Sequence, residues 1–224
     1  MGTPDFAVEP LRRLVEAGKN IVAVVTMPDK PAGRGHKIQF SPVKEYALSV
    51  NIPLLQPVNL KDPEFVEELR SYQADLQIVV AFRMLPEIVW NMPPLGTFNL
   101  HASLLPQYRG AAPINWAVIN GETETGITTF FLQHEIDTGN IIMQEKITIA
   151  PDDNAGIVHD KLMMLGADLV LKTVNQIESG NVASIPQPEG ELKAAPKIFK
   201  ETCRINFNTT AEAVRNLVRG LAPY

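Results

Sequence analysis

The sequence predicts an α/β fold, a mostly parallel sheet flanked by helices. Residues 21–26 (IVAVVT) and 75–82 (DLQIVVAF) are short apolar runs, as expected of strands buried on both faces of a parallel sheet. Amphipathic helical patterns lie before and between them, from residue 5 to Gly18 and over 62–73. Strands alternating with helices build a sheet covered on both faces. The architecture is therefore Rossmann-like.

Taken in order, Met1–Pro4 lead straight into the first helix. Thr3 or Asp5 can cap it, and Phe6, Leu11, Leu14 and Val15 form its apolar face. Residues 27–40 carry Pro28, Pro31, Gly33 and Gly35 and read as a loop. Their Gly-Arg-Gly lacks the third glycine and the strand-to-helix setting of a dinucleotide fingerprint, and no Walker motif occurs. Ser41-Pro42 opens a short helix with Tyr46 and Leu48 inward. Pro53 to Pro57 is extended. Asp62-Pro63-Glu64 enters the next helix, with Phe65, Val66 and Leu69 inward. A helix is expected over Pro113 to Asn120. Residues 126–132 and 140–149 read as antiparallel strands. Asp152-Asp153 opens a long helix over 154–179, with Ile157, Leu162, Leu165, Leu169 and Ile177 inward and Gly180 closing it.

The chemistry concentrates in residues 98–139. Asn99 and His101 are two apart at a strand end, so their side chains share a face. Asp137 stands at the mouth of a second loop, Asp137-Thr138-Gly139. An amide, an imidazole and a carboxylate are what acyl transfer to an amine needs when the enzyme supplies no covalent nucleophile. His101 can take the amine's proton. Asp137 can orient the ring and stabilise the imidazolium. Asn99 can donate to the oxyanion, a contribution of roughly 3 kcal/mol. The same spacing fits a structural histidine, so the residues alone leave both readings open. Gly110-Ala111-Ala112 would let a ligand approach the following helix. Arg109 suits either an anionic substrate group or a surface ion pair. His134 and Glu135 read as peripheral and His159 as structural.

The stretch FNLHASLLPQYRGAAPINW, with NGETETGIT and DTG, closely resembles the folate-dependent formyltransferases. GTPDFA, MPDKPAGRG, SPVK and LQPVNL are similar to the branch of that family acting on methionyl-tRNA. The resemblance implies 10-formyltetrahydrofolate as co-substrate, initiator methionyl-tRNA as acceptor, and no metal. It makes Asn99, His101 and Asp137 catalytic. It lines the tetrahydrofolate site with Ser103, Leu104, Leu105 and Pro106. It directs the loop bearing Arg34 and Lys37 toward the tRNA acceptor end. It divides the chain into a catalytic domain (1–182), a linker (183–203) and the start of a C-terminal β-barrel domain (204–224), in a protein monomeric when complete. It also implies a first strand upstream of GTPDF, hence a gap in the sheet here. Phe82 and Arg83 replace the family's usual Tyr-Gly pair beside the folate pocket. Two alternatives remain: a formyltransferase acting on an amino-sugar nucleotide, which shares the HASLLP and DTG stretches, and an inactive folate-binding domain.

Composition bounds these readings. The 224 residues carry a net charge of −5, unlike a general nucleic-acid binder. Any tRNA contact must be local, and Lys30, Arg34, His36, Lys37 and Lys44 gather in one region. No apolar run approaches the ~18 residues of a membrane span, and no leader-like segment is present. The single cysteine, Cys203, favours a reducing compartment, so a cytoplasmic protein is expected. The scattered histidines offer no metal pattern.

Overall fold

The computed structural model describes residues 1–32 and 37–223, and side chains within 30–38 lie outside that description. The chain runs through α1 (Val8–Glu16), β1 (Val24–Val25), β2 (Lys30–Ala32), β3 (Lys37–Gln39), α2 (Pro42–Ser49), β4 (Leu54–Leu55), α3 (Pro63–Ser71) and β5 (Gln77–Val80). It continues through α4 (Glu87–Trp90), β6 (Thr97–His101), β7 (Arg109–Gly110), α5 (Pro113–Ile119), β8 (Glu124–Phe131), β9 (Ile141–Thr148), α6 (Ala155–Glu178), β10 (Ala194–Ala195) and α7 (Ala211–Leu221).

β1 pairs with β4, and β5 with β6, in parallel. β8 and β9 extend the sheet from β6 in antiparallel register, giving the order β5-β6-β8-β9. The parallel pairs include the apolar runs at 21–26 and 75–82, while β9 alternates in burial and β8 is buried along nearly its whole length. α1 and α6 pack together over the core that holds Phe98, Leu100, Ile127, Leu162 and Leu169. The hydroxyls of Thr129 on β8 and Thr173 on α6 pair at 2.9 Å, so two buried polar atoms satisfy one another.

Local chemistry sets the helix starts. Ser41 Oγ accepts from the Lys44 N–H at 3.1 Å, and Asp62 Oδ1 from the Glu64 N–H at 3.0 Å, each satisfying a donor free at a helix start. Asn154 caps α6 through the Ile157 N–H at 2.9 Å. Asp153 instead binds the Ala150 N–H and Lys161. Two inward assignments are corrected. Leu48 on α2 is 51% exposed, and the i, i+4 pair Val43 and Ala47 is buried in its place. Ile157, in the first turn of α6, is 42% exposed.

Met1 and Gly2 lie between β1 and β5. The Met1 amino group donates to Ile78 O (2.7 Å), Met1 O accepts from the Val80 N–H (2.9 Å), and the Gly2 N–H donates to Val25 O (3.0 Å). Beside them opens a cavity of about 540 Å³ whose walls include Leu11, Leu14, Ile21, Val24 and Ile78. Consequently only Val24–Val25 of the 21–26 run forms a strand, held on one side by β4.

Residues 185–196 return across the sheet end. Ile185 bridges Ile141, and β10 pairs with β7. α7 then docks on α5, where Asn115 Nδ2 donates to Gly220 O at 2.8 Å. No helix among the described residues is long and apolar enough to cross a membrane.

Candidate active site

A cavity of about 760 Å³ opens at the carboxyl ends of β5 and β6, where α/β sheets place ligands. Its walls hold Asn99, His101 and Asp137 together, with Phe82, Arg83 and Trp90 among the others. The shared face of Asn99 and His101 follows from their two-residue spacing on β6. Asp137 arrives from the loop between β8 and β9.

His101 is nearly buried, 7% exposed, and its Nε2 lies 2.9 Å from Tyr108 O. A carbonyl only accepts, so Nε2 carries the proton and the neutral ring keeps Nδ1 unprotonated. The ring's orienting partner is therefore this backbone carbonyl. Asp137, expected in that role, accepts instead from the Gly110 N–H through Oδ2 at 3.0 Å. Asn99 is half-buried, and among the described residues its carboxamide has no hydrogen-bond partner, which leaves its N–H groups available in the cavity.

Tyr108 is left-handed at φ +60, a conformation costly for a residue with a side chain. Three contacts hold it. Its N–H donates to Lys193 O at 2.6 Å, its hydroxyl donates to Glu122 Oε1 at 2.5 Å, and Asn120 Nδ2 donates to that hydroxyl at 3.2 Å. Burial, reinforced by the Glu122 carboxylate, pushes the phenol pKa up. Burial also opposes ionisation of Glu122, but bonds from Lys193 and Tyr108 outweigh it and hold that carboxyl below its usual value.

The other expected site residues separate. Ser103, Leu104, Leu105 and Pro106 do not line this cavity. The backbone of Ser103 and Leu105 is spent on β8 and β9. The Thr128 hydroxyl donates to Ser103 O (2.7 Å) and accepts from the Leu105 N–H (3.1 Å), and Gln144 Nε2 donates to Leu105 O (2.8 Å). Arg34 lies outside the described residues, and Lys37 is described only as backbone of β3. Asp29, just before β2, is tied to Lys44, whose Nζ meets Asp29 Oδ2 at 2.5 Å and Gln56 Oε1 at 3.0 Å. Bonds from Lys44 and then Gln56 hold the Asp29 carboxyl below its usual range.

Arg109 is committed within the protein, its Nε and Nη2 donating to Gln187 Oε1 at 3.1 and 2.6 Å. Phe82 and Arg83 both border the cavity, and the guanidinium donates to the Pro57 and Val58 carbonyls. His134 sits at the wall with its ring edge-on to Trp90, centroids 5.4 Å apart. His159 also borders the cavity, bonded to Asp160 and packed on Phe6. Sequence reasoning missed Tyr108 and Gln187. One acts through a backbone carbonyl, and the other lies in a segment with linker composition, so neither leaves a side-chain pattern to find.

A model of the formyl transferase family matches residues 1–174. The chain belongs to the formyl transferase family. It is 71% identical over 228 residues to a methionyl-tRNA formyltransferase of Bacteroides fragilis, covering all of this chain and 70% of the relative. It is 56% identical over 225 residues to that of Flavobacterium johnsoniae, covering all of this chain and 71% of the relative. Among solved structures, an N-formyltransferase from Helicobacter canadensis in complex with folinic acid and dTDP-3-aminofucose superposes with a TM-score of 0.73 at 22% identity. That match covers 98% of this chain and 78% of the other, and it shows the formyl transferase fold.

Proposed function

We propose that this chain transfers the formyl group of 10-formyltetrahydrofolate to the amino group of methionyl-initiator-tRNA, in the cytoplasm. The observation that carries the reading is the convergence of Asn99, His101 and Asp137 on one cavity. The 71% identity to a methionyl-tRNA formyltransferase supports this acceptor. The same reading directs the sequence stretch that includes Arg34 and Lys37 toward the tRNA.

The cavity volume of about 760 Å³ suits a ligand with a flat ring system and a tail, and such pockets are mostly apolar with few polar groups. As the acceptor nitrogen attacks the formyl carbon, a C–N bond forms and the nitrogen loses a proton to the unprotonated nitrogen of His101. The developing oxyanion accepts from the Asn99 amide. Asp137 offsets the charge of the imidazolium, while the Tyr108 carbonyl keeps the ring's orientation. On collapse the bond from the formyl carbon to the folate nitrogen breaks. That nitrogen leaves with a proton returned by the imidazolium. No redox change and no metal are needed for the balance.

The test replaces His101 with Ala in the complete protein and measures transfer to charged initiator tRNA. Loss of general-base catalysis lowers kcat by about 10²–10⁴-fold with thermal unfolding unchanged. An unaltered rate removes His101 from the mechanism. An amino-sugar nucleotide in place of tRNA gives no turnover, and turnover with it would reassign the acceptor.

A further inference from the structure

We propose that Gln187 is a positioning residue for Asp137, an inference that rests on the reading of Asp137 as the working carboxylate. Gln187 Nε2 donates to Asp137 O at 2.7 Å and to Gly139 O at 2.9 Å, while its Oε1 accepts from both Arg109 nitrogens. The partners fix the amide's orientation. A guanidinium only donates and a carbonyl only accepts, so the reversed amide would lose every one of these bonds.

Asp137 needs such support. Its φ of +55 is left-handed, a conformation that persists when surrounding contacts over-determine it. Gln187 grips the loop at the Asp137 carbonyl and again two residues on, at Gly139. The carboxylate is held from the other direction by Gly110, and Gly110 is paired to Ala195 of the same returning segment. Both the backbone and the side chain of Asp137 are thus referenced to residues 187–195. Gln187 is not among the residues lining the cavity, so it acts on the reaction through Asp137 rather than on substrate.

A double-mutant cycle on the complete protein tests this, using Gln187→Ala, Asp137→Asn and the pair, assayed for formyl transfer. Coupled groups are non-additive: Gln187→Ala lowers kcat about tenfold where Asp137 is present and less than about twofold in the Asp137→Asn background. KM for folate and for tRNA moves by less than about twofold, because no substrate contact is removed. Thermal unfolding midpoints guard against a folding loss, and Gln187→Leu, close in volume, repeats the measurement should the alanine variant fail to fold. A slow Asp137→Asn beside a fully active Gln187→Ala overturns this inference alone. So does an equal loss in both backgrounds. An Asp137→Asn variant at the unsubstituted rate overturns the Asp137 reading and the inference with it.

Discussion

Gly110→Ala is the sharpest probe of how the returning segment meets the site. Gly110 has φ +124, and a Cβ there would fall 2.5 Å from Ala195 O and 3.1 Å from Ala195 C. Both partners are backbone, so relief requires β7 and β10 to part. Gly180 is the control, with φ +71 and nothing within 4 Å of its Cβ position. Gly180→Ala carries only the left-handed backbone cost of about 1–2 kcal/mol. Gly110→Ala carries a backbone cost of about 2 kcal/mol plus about 1–3 kcal/mol for the forced separation. The expected difference between the two is thus about 1–4 kcal/mol. Guanidinium unfolding reads it as a shift in midpoint at constant m. The Gly110 N–H also holds Asp137, so kcat should fall in Gly110→Ala and stay unchanged in Gly180→Ala. Equal stability losses in the two variants would mean that Ala195 does not press on Gly110.

Thr128→Val should cost about 2–3 kcal/mol, because its buried hydroxyl bonds to Ser103 O, the Leu105 N–H and Gln144, and removal leaves buried groups unpaired; denaturant titration checks this. Asp153 gives a pH signature. Burial alone would raise its carboxyl, but Lys161 at 2.5 Å and the Ala150 N–H at 2.8 Å hold it net below its usual value. A folded pKa below the unfolded one contributes stability above pH ~4 that is lost as pH falls through the folded value. Unfolding free energies measured from about pH 5 to pH 2 should fall less steeply in Asp153→Asn than in the unsubstituted protein.

What the sequence disclosed was local. Ser41 and Asp62 advertised their caps because the donors they satisfy lie two or three residues away. Residues 140–149 declared a strand by alternation, and 126–132 pair with them in antiparallel register. The run at 21–26 was apolar enough for a full strand, yet strand length depends on partners, and only Val24 and Val25 have a paired neighbour in β4. α2 has eight residues, too few for its periodicity to separate Leu48 from Val43 and Ala47. The convergence of Asn99, His101 and Asp137 was legible through the motifs. The groups that hold them were not, because Tyr108 acts through a backbone carbonyl that no side-chain pattern marks, and the Gln187 amide reaches Asp137 from fifty residues away.

That division has a physical cause. Tyr108, Gly110 and Asp137 all have positive φ, at +60, +124 and +55. Backbone of this kind brings a carbonyl to His101 and an N–H to Asp137, but left to itself it would relax. Each of the three is braced by the same stretch of chain: Tyr108 by the carbonyl of Lys193, Gly110 by Ala195, and Asp137 by Gln187. Residues 183–203 have the Pro- and Glu-rich composition of a linker, and a free linker would remove one brace from each of the three. Because 187–195 is instead bonded to each of them, any displacement of this segment must be felt at His101 and Asp137 together.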